Sequence, residues 1–467
     1  MYARSIPLQT ITKTVPSLLT AATGVRVGKG PLLNLAHNID STPGQFVIQT
    51  YNKISPLGLD KFPKAGYTIV TEPQTKNTHA ILLRSYNLKE SEVPLTVRCI
   101  ARCGAGTNNI PVGRMTEMGI PVFNTPGANA NAVKELVLCG LLLASRDIVG
   151  GINHMKKLGS QGLAKERVEK DKAMFGGQEV KGKTLGVIGL GHIGAATARD
   201  AAALGMSVIG YDPGMNVQSA LKLPSTINLV ESMKAVFANS DYISLNIPYI
   251  NKPVAEGGTH SIISRDLFMS MKKNASLLNF ARGELVDSEA LKAFFDSGAT
   301  GKYVTDFPDD LLWDHPNALV IPHLGASTEE AEDQAAAMAA ATVQQFLETG
   351  VVRNSVNFPD TKLDVRADTV VRICLVNENK SGVLAEVLKV LAEGNLNILQ
   401  QVNRSKGAIA YNVIDVEFDD LSSKGKFKSW AELQESLTML PNVISTRFMN
   451  DVYGSGYAKK VGSSYFV

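Results

Sequence analysis

Six residues, Gly189-Leu190-Gly191-His192-Ile193-Gly194, have the types and spacing to hold a pyrophosphate. Gly189 permits a tight turn, Gly191 lets backbone approach the phosphates, and Gly194 lets a helix pack closely on the preceding strand. The apolar run at 184–188 reads as that strand. Residues 195–204 read as the helix, whose first N–H groups face the phosphates. A second strand, 207–212, ends in Asp212, at the spacing expected for a ribose 2′-hydroxyl acceptor. Its charge would repel a 2′-phosphate, so the chemistry expected is NAD-linked. Arg282 follows the short apolar run 276–279, at the carboxyl edge where open α/β sheets bind ligands. The four cysteines show neither metal-ligand spacing nor a disulfide framework, so they read as buried thiols.

These residues need a scaffold, and 467 residues suggest about three domains. Net charge is only +3 and aromatics are few, the composition of an α/β enzyme rather than a nucleic-acid binder. No apolar run reaches the roughly 18 residues that would span a membrane. Residues 1–39 lack Asp and Glu but carry Arg4, Lys13, Arg26 and Lys29. Segment 1–45 therefore reads as an organelle transit leader, mitochondrial first, with plastid or cytoplasm as alternatives.

Strand-like runs at 46–50, 67–70, 80–83, 97–101 and 121–123 predict a small parallel α/β unit. A helix at 130–146 leads into the dinucleotide unit, 128–326, with further strands at 242–245, 276–279, 303–305 and 319–321. Ser327-Thr328-Glu329-Glu330 reads as a capping box opening a long alanine-rich helix. That helix could return the chain to the first unit, making it discontinuous over 46–127 and 327–357. A linker, 358–368, precedes a strand-helix-strand-strand-helix-strand pattern over 369–452, which is ferredoxin-like. Residues 453–467 read as a tail. The expected class is α/β: a Rossmann domain inserted in a flavodoxin-like domain, with a ferredoxin-like third domain.

Three further segments resemble the D-2-hydroxyacid dehydrogenase superfamily: residues 279–287 around Arg282, 321–327 around His323, and the glycine loop 102–109. The resemblance implies a substrate unit, an NAD unit and a cleft between them. His323 would take the hydroxyl proton as C2 gives its hydride to nicotinamide. Arg282 would hold the substrate carboxylate bidentately. A carboxylate beside His323 would stabilise its protonated form. The superfamily's glutamate is absent; Asp310 takes its place in Phe307-Pro308-Asp309-Asp310, with Asp309 as rival, and Asp306 or Thr305 would face the nicotinamide. The resemblance also gives Gly104, Ala105, Gly106, Arg84, Ser85 and Asn129 to the substrate, with Lys53 as a candidate phosphate ligand.

The third domain resembles an ACT module, which among these enzymes marks the phosphoglycerate dehydrogenases. This implies oxidation of 3-phosphoglycerate, serine synthesis, a homo-oligomer (dimer or tetramer) and L-serine as effector. Asn379 and Asn397 match effector positions; Asn377 stands in place of the family's histidine and Ser381 in place of its proline. The alternatives are a glyoxylate or hydroxypyruvate reductase, which usually lacks such a module, and a non-catalytic NAD-sensing scaffold of the corepressor kind.

Overall fold

A computed structural model describes residues 46–71, 77–215, 220, 223–252, 254–363, 370–417 and 425–449. The leader, the tail and part of the linker lie outside the described residues. Three sheets organise the rest. The first is parallel, with order β2-β1-β3-β4-β5: β1 Phe46–Thr50, β2 Tyr67–Val70, β3 Ala80–Leu83, β4 Cys99–Arg102 and β5 Val122–Phe123. β3 is buried at all four residues, the unbroken apolar run of a parallel strand covered on both faces.

The second sheet is parallel and seven-stranded, with order β12-β11-β10-β9-β6-β7-β8. Its strands are β6 Thr184–Ile188, β7 Ser207–Tyr211, β8 Ile227–Leu229, β9 Tyr242–Leu245, β10 Ser276–Asn279, β11 Tyr303–Thr305 and β12 Ala318–Val320. β8 has no counterpart in the sequence reading. It is a three-residue edge strand with two exposed positions, too short and too polar to carry a pattern. The strand order reverses between β6 and β9, which creates a crevice at their carboxyl ends.

Helix α1 (Ala130–Ser145) runs from the first unit and packs against α2 (His192–Ala203) and β10. Helix α3 (Glu329–Thr349) returns to the first unit and lays Ala336, Ala339, Ala340 and Val343 on its core beside Ile48, Leu82 and Phe123. The small side chains recur at helical spacing, so α3 approaches closely. Its cap is Thr328, one residue later than expected, accepting from the Ala331 N–H at 3.2 Å. With alanine at that third position there is no reciprocal carboxylate, hence no capping box. Beyond α3 the chain seals the β5 edge, where Asn357 accepts from the Val122 N–H at 2.8 Å.

The third sheet is antiparallel, with order β14-β15-β13-β16: β13 Val370–Glu378, β14 Ile398–Lys406, β15 Ile409–Glu417 and β16 Val443–Met449. Helices α4 (Val383–Glu393) and α5 (Trp430–Thr438) bury Val387, Leu391, Leu433 and Leu437 against it. This is the ferredoxin-like order. The module is fastened to the end of α3: buried Arg372 pairs with buried Asp415 at 2.7 Å and donates to the Thr349 carbonyl at 3.0 Å. The Tyr411 hydroxyl donates to the Gly350 carbonyl at 2.7 Å. Cys99, Cys103 and Cys374 are buried free thiols, but Cys139 is exposed, contrary to the sequence reading; it lies on a solvent-facing position of α1.

Candidate active site

The glycine turn sits at the strand-order reversal. Gly189 has φ +86°, a conformation glycine adopts without strain, and its amide donates to the Tyr211 carbonyl at 2.9 Å. Gly194 lies so close to the Gly189 carbonyl that no side chain fits between turn and helix. Gly191, the N-cap of α2, faces open space on the side where a Cβ would project. Turn, open glycine and helix N-terminus together fit a dinucleotide pyrophosphate. Asp212 stands just past β7, accepting from the Leu190 N–H at 2.8 Å and the Gly214 N–H at 2.9 Å, so its charge lies beside the turn. The exposed His192 ring lies against Gly127, whose Cβ would come within 2.8 Å of it, so the turn meets the first unit here. Half-buried Ile193 packs at the edge of the core formed by α1 and β6.

Arg282 follows β10, and buried Asn279 shapes the bend. Its amide donates to the Arg282 carbonyl at 2.9 Å, and its carbonyl oxygen accepts from the Ala281 N–H at 3.2 Å. The Arg282 guanidinium reaches across to the loop of the first unit, where Nη2 lies 2.7 Å from the place a Gly106 Cβ would occupy. A side chain at 106 would displace it. Arg102, at the end of β4, lays its guanidinium over Gly104 and donates to the Arg84 carbonyl at 3.1 Å. Burial lowers the Arg102 guanidinium below its usual range, and the charges of Arg282 and Arg84 act the same way, against Cys103. Arg102 and Arg282 thus meet at the 104–106 loop, with the charge of Arg84 in electrostatic reach of Arg102. Among the described residues only Arg84 has a carboxylate partner, Glu332 at 2.6 Å.

Asn109 donates to the Arg84 and Tyr86 carbonyls at 3.2 and 2.6 Å, holding that strand end in place. The Ser85 and Tyr86 N–H groups donate to Asn52 at 3.1 and 2.7 Å. The Ala105 carbonyl accepts from Asn124 at 2.6 Å. Asn129 is the half-buried N-cap of α1 and makes no side-chain cap bond. Lys53 is exposed and makes no ion pair among the described residues. Arg102, Asn109 and Asn279 were not singled out from sequence; each ends a strand or loop, and only the fold brings them to the cleft.

His323 follows β12 and is exposed, its ring 4.7 Å from that of Phe307. Its expected partner must be corrected. Neither Asp310 nor Asp309 forms an ion pair with it. Asp309 instead accepts from Ser288 at 2.6 Å and from the Leu311 N–H at 2.9 Å, winding residues 309–313 into a turn that leaves Asp310 in solvent. The carboxylate within electrostatic reach of His323 is Asp306, at the end of β11. It is fully buried; Oδ2 accepts from the Gly325 N–H at 3.1 Å and Oδ1 has no partner. Burial pushes its carboxyl above the usual range, while the charge of His323 and the Gly325 N–H pull the other way. Thr305 is buried and accepts from the Phe307 N–H at 3.1 Å, within its own turn.

In the third domain, Asn377 also departs from expectation. It is buried, donating to the Glu378 carbonyl at 2.6 Å and accepting from Asn412 at 2.7 Å, so its amide is committed inside the sheet. Asn379 and Asn397 are exposed, at opposite ends of the sheet.

This arrangement puts a cation for a carboxylate and a base with a buried carboxylate behind it at the carboxyl edges of β10, β11 and β12, beside a dinucleotide turn. Comparison with known proteins agrees. Residues 142–325 match the D-isomer specific 2-hydroxyacid dehydrogenase, NAD binding domain. A D-3-phosphoglycerate dehydrogenase of Dictyostelium discoideum is 31% identical over 392 residues, covering 80% of this chain and 87% of that protein. D-3-phosphoglycerate dehydrogenase 1 of Saccharomyces cerevisiae is 28% identical over 451 residues, 89% of each. The crystal structure of NAD+-bound 3-phosphoglycerate dehydrogenase from Entamoeba histolytica has the same fold, with a TM-score of 0.53 and 23% identity over 67% of this chain and 99% of that one. The chain therefore belongs to the D-3-phosphoglycerate dehydrogenase family of D-2-hydroxyacid dehydrogenases and is an NAD-dependent oxidoreductase.

Proposed function

We propose that the protein oxidises 3-phospho-D-glycerate to 3-phosphohydroxypyruvate, the entry step of phosphorylated L-serine synthesis. The observation that carries this reading is the meeting of Arg102 and Arg282 at one loop, with Arg84 in electrostatic reach and a single carboxylate partner for the three among the described residues. A substrate with a carboxylate at one end and a phosphate at the other supplies the missing negative charge. NAD, when bound, accepts the hydride from C2. Arg282 holds the substrate carboxylate, fixing C2 toward the dinucleotide turn. Arg102 and Arg84 take the phosphate, with Lys53 at the rim. His323 removes the hydroxyl proton, and Asp306 favours the imidazolium that results. Asp212 accepts from the adenosine ribose.

The same reading extends to assembly. Leu142, Ile148, Val149, Ile152, Leu163 and Val168 are exposed apolar residues on successive helices, a surface suited to a second copy. Asn379 and Asn397 are separated by a nine-residue strand, roughly 30 Å at the rise of a β-strand. A serine effector gripped by both needs two modules side by side, and no serine site is assigned to Asn377. An organelle address in the leader completes the proposal. The test is NADH formation from purified protein, NAD and 3-phospho-D-glycerate with the keto product trapped by hydrazine. Turnover is expected, and its absence, with D-glycerate or D-lactate turned over instead, would replace this reading by the reductase alternative.

A further inference from the structure

A crevice of about 40 Å³ lies between the first unit and the third domain, lined by Arg98, Pro121, Phe346, Tyr411, Ser445 and Arg447 among others. That volume holds about three waters. Its two arginines come from positions far apart in sequence, one just before β4 and one in β16, and each leaves a donor unused. Arg98 Nε is buried and without a partner among the described residues, and its guanidinium lies 5.6 Å from the Phe46 ring centroid. Arg447 donates through Nη2 to the Phe346 carbonyl at 2.7 Å and lies 4.8 Å from that residue's ring centroid, yet its Nη1 is also buried and unpaired.

Two guanidiniums in one crevice repel each other, and taking them out of water costs more unless a negative charge is present. Among the described residues that line the crevice, none supplies it. No Asp or Glu lines the crevice among the described residues. The neighbouring Cys99 thiol is pushed up to about 12 by burial, in spite of both arginines, so it stays neutral. The Tyr411 hydroxyl is a donor already spent on the Gly350 carbonyl, and burial holds it protonated. Burial, with Arg447 close by, pushes the Arg98 guanidinium down to about 9. Ser445 adds a hydroxyl at the wall.

We infer that this crevice is a binding site for a small oxyanion, gripped between Arg98 of the first unit and Arg447 of the third domain. The size admits inorganic phosphate or sulfate and excludes a whole phosphorylated metabolite. Because the two grips belong to different units, the bound anion ties the third domain to the unit that carries Arg84 and Arg102.

The experiment measures thermal unfolding of the full chain against inorganic phosphate at fixed ionic strength, so that general screening is constant. A saturating rise in midpoint of roughly 2–5 °C is expected. The rise should vanish in Arg98→Gln and Arg447→Gln and persist in Arg102→Gln, whose lesion lies in the catalytic cleft. Arg98→Lys, which keeps a charge without the planar fork, should show a weakened rise and serves if the glutamine variants do not fold. An unchanged rise in Arg98→Gln, or a rise lost only in Arg102→Gln, would overturn the proposal. So would the absence of any rise in the parent chain. Crystals soaked in selenate give a direct check: an anomalous peak between the two guanidiniums supports the site, and selenate bound only elsewhere overturns it.

Discussion

Replacing Asp306 with asparagine removes a buried negative charge while nearly preserving shape. Its Oδ2 accepts the Gly325 N–H, so an amide placed with oxygen toward Gly325 keeps that hydrogen bond. What is lost is the attraction between the carboxylate and a protonated His323. Opposite charges several ångströms apart attract by about 2–4 kcal/mol at an effective dielectric of about 20. His323 is exposed, and solvent screening reduces this to about 1–2 kcal/mol. Turnover should therefore fall roughly 5–30-fold, with the KM for the hydroxy acid little changed. Steady-state NADH formation at saturating NAD reads both constants. Asp310→Asn, in solvent, should behave as the parent. If Asp310→Asn loses activity and Asp306→Asn does not, the carboxylate partner of His323 is wrongly placed.

Other consequences follow from the same geometry. Asp212→Asn should raise the kcat/KM ratio of NADP to NAD by roughly 10–100-fold, since the repelling charge beside the turn is gone; an unchanged ratio would remove Asp212 from the ribose site. Arg372→Met strands buried Asp415 and should destabilise the third domain by about 3–5 kcal/mol in urea unfolding, with most of the loss recovered when Asp415→Leu is added. His323→Ala should lower turnover roughly 10²–10⁴-fold, as loss of a general base does, with NAD affinity by fluorescence titration unchanged.

The parts of the molecule legible in the sequence are those encoded by local periodicity. The turn at 189–194 stands between a strand and a helix of the expected kind, and the strand-helix-strand-strand-helix-strand pattern expected over 369–452 yields the third sheet with its two helices. Asp310 was misread because aligning Phe307-Pro308 fixes spacing, not direction. The Asp309 carboxylate caps its own turn and swings Asp310 outward, an outcome set by Ser288 twenty-one residues earlier. Asn377 was misplaced for a similar reason: its partner Asn412 sits on the neighbouring strand, and only strand register brings them together. Arg102 opens the glycine loop 102–109, and it becomes part of a cationic cluster only when β10 is brought opposite.

Arg84, Arg102 and Arg282 suit a substrate that is anionic at both ends. The most direct test is the ratio of kcat/KM for 3-phospho-D-glycerate to that for D-glycerate, measured with NAD in the parent chain and in Arg102→Met. Loss of a charge-assisted contact of about 3 kcal/mol or more corresponds to roughly two orders of magnitude, so the parent ratio should exceed about 100 and fall by at least tenfold in the variant. A ratio near one in the parent, or one that Arg102→Met leaves intact, would contradict the account.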